Sequence, residues 1–469
     1  MELEEIILGF LTYKEKEYPF YYRENILSLM PATQEVWEQD QQDAFDAIFQ
    51  NWNFGSNRWI DIICLKGHTQ NGYEISFYVN ENYNSNMGFI SFSVQYIFQY
   101  KDMLDTQIDG FYLTGNEINY FFEPERMLKA NVKREGDVIQ YVTTENGPVI
   151  EEYIGEYTDD AVRVRLYWEN VISMQFASWN PVRYFSRIRI SFDKPQNVDF
   201  VLKTYKHCLC LFQYLCARKN IIFDNIQILT GTDIPRNLGV VKILWRKLEN
   251  ESHRWRRNYI IKYRQIGNKV CDLMKEFSLG AMYLEHLCPS VESRNRYETN
   301  RIILILVAFE REFENIYGKD YGRSEKYIAT KQEMLQYIKK IIDKETGNRK
   351  KYFNSFYHII DNMDNAYCQK VKHALNDCKD LISSFVIKGY NCSDRTMLND
   401  QLFKDISDRL NQLRNDYAHG NLDVEIMPIH ITDLQVIQCL TYMIRLKNLG
   451  MEPAVIRQCI GNMLGYSGL

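Results

Sequence analysis

What this sequence lacks is an excess of charge of one sign, a long apolar run and paired cysteines. Its 56 Lys and Arg stand against 61 Asp and Glu, for a net charge of −5. Such a chain is not a bulk polycation, so contact with nucleic acid has to come from local patches. The longest plainly apolar run, Ile302 to Phe309, falls far short of the roughly 20 residues that span a bilayer. Glu2, Glu4 and Glu5 precede the first lysine, Lys14, which is no beginning for a secretory signal. The expectation is a cytoplasmic, reduced chain with no membrane contact. Eleven cysteines are scattered without a pair of paired-Cys motifs. The nearest group, Cys208, Cys210 and Cys216 beside His207, lies on what reads as one apolar helix, where cysteine is a common core residue. No metal is expected there. Also missing are the phosphate loop Gly-x4-Gly-Lys-Ser/Thr, His-Glu-x-x-His and Gly-x-Ser-x-Gly. No cofactor is expected.

What is present is ordinary globular material, 45% hydrophobic and 25% charged over 469 residues, enough for two or three domains. The first 195 residues read as mostly strand. Runs at Trp59–Leu65 and Tyr73–Val79 flank Gln70-Asn71-Gly72, and Asn-Gly between such runs signals a hairpin because both residues tolerate positive φ. Gly115-Asn116, between Phe111–Leu113 and Ile118–Phe122, gives a similar signal. Further runs at Val138–Val142, Val162–Trp168, Ile172–Phe176 and Ile188–Phe192 suggest a twisted sandwich or partly closed barrel. After Pro195 a helical period covers Asp199 to Arg218, and strand-like pieces follow at Ile221–Phe223 and Val240–Leu244. From about Tyr259 the chain reads as helix: Arg296–Tyr317, Gln332–Asp343, one or two helices in Asn354–Ile387, then Asp400–Ala418, Ile431–Leu446 and Pro453–Met463. The expected class is α+β multidomain, an N-terminal mostly antiparallel β domain followed by a C-terminal all-α bundle. Its expected parts are a β-rich domain over 1–230 with a helix near 199–218, a basic aromatic connecting segment over 231–290, and a helical bundle over 291–469.

Two clusters of positive charge stand out. Lys242 to Arg264 interleaves Arg254, Arg256 and Arg257 with Trp245, Trp255, Tyr259 and Tyr263. Cations that hold phosphates beside rings that stack on bases suit single-stranded RNA. The same pattern also describes a solvated helix face whose aromatics pack inward. The second cluster, Lys339, Lys340, Lys344, Arg349, Lys350 and Lys351, has Tyr352 as its one aromatic and reads as a solvated face or loop.

The candidate chemistry lies in Leu413-Arg414-Asn415-Asp416-Tyr417-Ala418-His419-Gly420. Leu402, Ile406, Leu410, Leu413 and Tyr417 form an apolar stripe, Arg414 flanks it, and His419 ends the helix before a capping Gly420. An arginine forks onto two phosphate oxygens, and an imidazole exchanges protons near neutral pH. Ribose brings its own nucleophile, the 2′-hydroxyl, so the cleavage requires no metal. Five residues turn a regular helix through about 140°, so the two side chains meet at one phosphate only if the last turn unwinds. The bland alternative pairs Arg414 with a neighbouring carboxylate and leaves His419 as a helix-end residue favoured by the dipole. A second spacing of this kind, Arg246-x6-His253, lies outside the bundle and lacks the Asn.

Arg414-Asn415-x-x-x-His419, late in a helical domain, resembles the HEPN ribonuclease superfamily, whose hallmark is Arg, four to six residues, then His, often with Asn after the Arg. The β half, with Lys66-Gly67-His68-Thr69-Gln70-Asn71-Gly72 and Phe121-Phe122-Glu123-Pro124, looks like the N-terminal region of ApeA-like HEPN proteins, bacterial anti-phage proteins of similar domain order. The resemblance implies a HEPN-type bundle and a metal-independent endoribonuclease that leaves a 2′,3′-cyclic phosphate and a 5′-hydroxyl. It also implies growth arrest by RNA cleavage in anti-phage defence, with tRNA among the substrates considered. Arg414, Asn415 and His419 would be catalytic, Glu310 and His373 candidates for support, and Arg254, Trp255, Arg256 and Arg257 candidates for holding RNA. A homodimer through the helical domain, a phage-derived trigger and regulation by the β domain complete the expectation. The alternative is a non-catalytic HEPN module that binds a nucleotide or RNA while the β domain recruits a partner.

Overall fold

The computed structural model describes residues 5–31, 33, 38, 62–86, 89–101, 108–124, 128–135, 138–146, 151–174, 182–224, 226–231, 235–244, 251–318, 321, 324–362, 366–392, 398–421 and 424–465, with backbone alone for 81–86, 89, 128–146, 253–255 and 362. It divides into two compact units, Met1–Leu209 with Ile221–Asn250, and Cys210–Asn220 with Glu251–Leu469.

The first unit is antiparallel β. Its strands are β1 (Ile6–Tyr13), β2 (Lys16–Arg23), β3 (Ile26–Leu29), β4 (Ile62–Thr69), β5 (Glu74–Asn86), β6 (Phe89–Tyr100) and β7 (Ile108–Thr114), followed by β8 (Leu128–Glu135), β9 (Val138–Asn146), β10 (Glu151–Asp159), β11 (Val162–Met174), β12 (Val182–Gln196), β13 (Ile226–Thr230) and β14 (Arg236–Ile243). Hydrogen bonding runs β10-β11-β12-β7-β13-β14-β6-β3-β2-β1-β4-β5, and β5 returns to pair with β6. That last pairing closes β6, β3, β2, β1, β4 and β5 into a barrel, with β14, β13, β7, β12, β11 and β10 as an open extension of the sheet and β8 and β9 as a separate two-stranded ladder. Ile7, Leu11, Phe20, Leu27, Leu65, Ile75, Phe77 and Ile97 alternate along the barrel strands and fill its interior. Glycines allow the closure. A Cβ on Gly67 would lie 2.1 Å from the Phe10 carbonyl oxygen, and one on Gly9 2.1 Å from that of His68. Only residues without side chains let β1 and β4 approach so closely. The Gln70-Asn71-Gly72 turn joins β4 to β5 as expected, with Gly72 at φ +77°.

Three expectations need correcting. The Gly115-Asn116 hairpin is absent: Asn116–Phe121 is a helix, α1, whose Ile118 and Phe121 are buried with Phe122, and Phe121 and Phe122 both lie against the buried Trp168. The runs at Val162 and Ile172 belong to one strand, β11. Ile221–Phe223 is extended but pairs with no strand among the described residues. Ile221 and Phe223 are buried by packing, Phe223 against Tyr205, rather than by a ladder.

Helix α2 (Val198–Cys216) begins in the first unit and ends in the second. The rest of the second unit is helical: α3 (His253–Asn258), α4 (Tyr263–Ile266), α5 (Lys269–Ser278), α6 (Thr299–Tyr317), α7 (Glu325–Ile342), α8 (Gly347–Asn362), α9 (Tyr367–Asp377), α10 (Lys379–Gly389), α11 (Asp400–Ala418), α12 (Pro428–Asn448) and α13 (Pro453–Leu464). The stretch expected to hold one or two helices, Asn354–Ile387, falls in three: α8 ends at Asn362, α9 runs from Tyr367, and the helix breaks again at Cys378 before α10. From Leu434 to Leu446, α12 is almost wholly buried, as the central helix of a bundle must be, and it packs on the apolar face of α6, which carries Ile305, Leu306, Phe309 and Phe313. Asn399 caps α11 by accepting the Leu402 N–H at 3.0 Å. Among the described residues no helix is long and apolar enough to cross a membrane.

Candidate functional site

Helix α11 carries the Arg-Asn-x-x-x-His pattern into the bundle. Phe403, Ile406, Leu410, Leu413 and Tyr417 form its buried stripe, so Arg414 falls on the flank, half-exposed. Its Nη2 donates to Glu310 Oε2 on α6 at 3.0 Å, and the guanidinium carbon lies 5.5 Å from the centre of the Tyr367 ring. Glu310 is shared: its Oε1 accepts from Lys370 Nζ at 2.9 Å, and Lys370 also donates to Glu314 at 2.7 Å. Lys370 is 1% exposed, so burial makes both carboxylates obligatory partners. Tyr367 is fully buried beside Glu310, and its phenol is held well above its ordinary pKa, by burial first and by that carboxylate second. The cluster therefore consists of Arg414 and Lys370 balanced by Glu310 and Glu314, with a neutral ring beneath the arginine. Arg414 has five donors and gives one to Glu310, and its side chain remains 39% exposed.

His419 closes the helix. Its N–H bonds to the Asn415 carbonyl at 3.0 Å, Gly420 at φ +78° bonds to Tyr417, and Asn421 bonds back to Asp416 at 2.9 Å. This pair of reversed bonds around a left-handed glycine is a Schellman cap. The last turn does not unwind, so the divergence of about 140° between the Arg414 and His419 directions persists within one chain. The His419 imidazole is exposed, and neither it nor the half-buried Asn415 side chain has a hydrogen-bond or ion-pair partner among the described residues.

His373 is placed differently. Its ring meets Phe313, Tyr317 and Tyr321 at 5.8, 5.0 and 5.2 Å between centres, and burial among them lowers its pKa. No hydrogen bond, ion pair or ring contact joins it to Arg414, Glu310 or Tyr367 among the described residues. In the basic aromatic stretch, Arg256 is 14% exposed and faces Glu251 at 3.9 Å, while buried Arg218 reaches the same carboxylate at 3.2 Å. Tyr263 is buried, and the Arg294 guanidinium stacks on Tyr259 at 3.8 Å. These side chains pack inward, and Arg257 is exposed. Trp245, Arg246 and the side chains of His253, Arg254 and Trp255 lie outside the described residues.

Sequence reasoning passed over Lys370, Glu314 and Tyr367. A signal for the lysine existed: Tyr367, Lys370, Val371, Ala374 and Leu375 recur at helical spacing, which puts a lysine on a buried face. Glu310 and Glu314, one turn apart on α6, are the pair that such a lysine needs.

No family model, curated protein or solved structure matches this chain.

Proposed function

We propose that the helical unit is a metal-independent endoribonuclease of the HEPN type, and that two copies supply its active site. The observation that carries this reading is the imidazole of His419, exposed and without a partner among the described residues, at the end of the helix that also presents Arg414. Cleavage by the 2′-hydroxyl needs a base at that oxygen and an acid at the leaving 5′-oxygen. One chain offers one His419, and its direction diverges from that of Arg414. A second chain facing the first brings the other imidazole. Arg414 uses its remaining donors on the phosphate as charge develops there, while Glu310 and Tyr367 hold the guanidinium in place. Asn415, beside Arg414, orients the imidazole or the phosphate through its amide. The β unit acts as sensor or regulator, and an anti-phage, growth-arresting role follows from the resemblance of the motif.

The test is incubation of purified protein with mixed RNA, with and without EDTA, followed by analysis of the product ends. Cyclic phosphate ends that persist in EDTA, and resistance of an RNA with a 2′-deoxy residue at the cut position, are expected. Cleavage of DNA, or an activity restored by magnesium, points to a metal-dependent nuclease instead.

A specific observation favours the alternative, a non-catalytic nucleotide- or RNA-binding module. The Arg414 cluster is charge-balanced, and its arginine already has a carboxylate partner. In that reading RNA binds and is not cut.

A further inference from the structure

Helices α7 and α8 form a hairpin that packs on itself and makes no extensive contact with any other element among the described residues. Met334, Tyr337, Tyr352, Phe356 and Ile359 are 52–64% exposed on it, and Ile341 is half-exposed. Their positions follow one rule. Along α7, Met334 precedes Leu335, Tyr337 precedes Ile338 and Ile341 precedes Ile342; along α8, Tyr352 precedes Phe353, Phe356 precedes Tyr357 and Ile359 precedes Ile360. The second member of each pair is the more buried or lies on the seam between the helices. One residue turns a helix by about 100°. In two antiparallel helices, stepping back one residue from the seam rotates both side chains to the same side of the hairpin. The six apolar residues therefore make one continuous face. Most tip cations lie off it: Lys339, one residue after Ile338, turns to the opposite side, and Lys340 and Lys351, two residues from the seam, point away, while Arg349, three residues before Tyr352, stands at its tip end and faces Glu345 at 3.2 Å.

We infer that this face pairs with the same face of a second copy of the chain, the two hairpins lying antiparallel as a four-helix layer. Three observations select that occupant. Six apolar side chains with a single edge cation, Arg349, already paired with Glu345, suit a phosphate backbone poorly. Two helices of this length present a patch about 27 Å long and roughly 20 Å wide, so two copies bury on the order of 1,000 Å², the lower limit for a specific interface. The charges are also polarised along the hairpin. The tip carries Lys339, Lys340, Lys344, Arg349, Lys350 and Lys351 against Asp343 and Glu345, and the base carries Glu325, Glu333 and Asp361 against Lys326 and Lys331. A two-fold antiparallel pairing lays each strongly basic tip over a base of slight negative charge and keeps like tips about three Debye lengths apart. It also brings the partner's cations to the base of the hairpin, where α8 ends. The inference concerns assembly and does not rest on the nuclease reading.

Sedimentation of the full chain, wild type and Tyr337→Glu/Phe356→Glu, tests it. The wild type sediments as a dimer, and the double variant raises the dissociation constant by on the order of 100-fold. Its helical circular dichroism is unchanged, because both side chains face solvent within one chain. A zero-length carbodiimide cross-linker applied to mixed isotopically light and heavy chains joins tip lysines to Glu325 or Asp361 between copies. A wild type that stays monomeric at tens of micromolar, covered from within or by another partner, overturns the inference. So does a double variant that dimerises as well as wild type, or a predominance of tip-to-tip links with a lysine-specific reagent.

Discussion

Two Arg–Glu pairs start from neighbouring positions on α6 and end in different surroundings. Glu312 holds Arg445 of α12 in a fork, the Nη2 bond measuring 3.0 Å, and Glu276 adds a third carboxylate oxygen at 3.2 Å; the arginine side chain is 2% exposed. Glu310 holds Arg414 by one bond, and that side chain is 39% exposed. The histidines divide in the same way. His286 is buried against Tyr283 and Tyr442, and His419 is exposed at a helix cap. Identical chemistry is thus used once as a fastening and once as a surface that can meet a ligand. Exposure, more than residue type, separates the two.

The largest effect expected is on activity. His419→Ala loses about 10²- to 10⁴-fold in RNA cleavage, the usual worth of a positioned proton carrier, with an unchanged urea midpoint. Added in excess to wild type, it depresses activity beyond dilution, because mixed dimers hold one imidazole. Full activity in this variant would end the proposed mechanism.

Next is the sealed pair. Arg445→Ala leaves Glu312 buried without its partner, and about 3–5 kcal/mol of stability is lost. Burial already raises the Glu312 pKa, so an unpaired carboxylate there tends toward the protonated form. A midpoint within error of wild type would show that the interior of the bundle is wetter than this packing implies.

The difference between the pairs was only partly legible in the sequence. Helix α11 was read from Asp400 to Ala418, because the stripe to Tyr417 and the capping Gly420 each carry a local signal. Strands β1 to β3 were not. Their turns place Lys14, Glu15, Glu24 and Asn25 at positive φ, as do Asp160 and Ala161 farther on, and the usual glycine is absent from all three. Conformations that cost an ordinary side chain roughly 1 kcal/mol or more are carried here by the sheet rather than by turn residues. Gly115 misled in the opposite sense: it serves close approach, a Cβ there falling 3.0 Å from the Ile222 carbonyl oxygen. In the candidate site, Arg414 and His419 stood out by spacing, whereas Lys370 needed α6 and α9 to be brought together.

A smaller effect concerns the two histidines and pH. Burial pushes His286 down to about 3, with Arg301 adding to the effect. A lowered folded pKa means that the unfolded chain binds the proton first as pH falls through about 6.5. Stability contributed by neutral His286 is therefore full above that pH and declines below it, by about 2 kcal/mol at pH 5. His286→Phe flattens this part of the acid-denaturation curve, and His419→Ala does not. Equal curves for the two variants would remove the distinction drawn between them.

The smallest effect is on the open pair, and it bears most directly on function. Arg414→Ala breaks one half-exposed ion pair, which is worth about 0–1 kcal/mol. Lys370 still neutralises Glu310, so no carboxylate is left stranded. The urea midpoint should barely move while RNA cleavage is lost. Arg414→Lys should keep the charge and the fold yet restore little cleavage, because an ammonium cannot fork onto two phosphate oxygens. If Arg414→Ala unfolds the protein as Arg445→Ala does, the guanidinium is a second fastening. The alternative with His419 as a bare helix end would then be preferred.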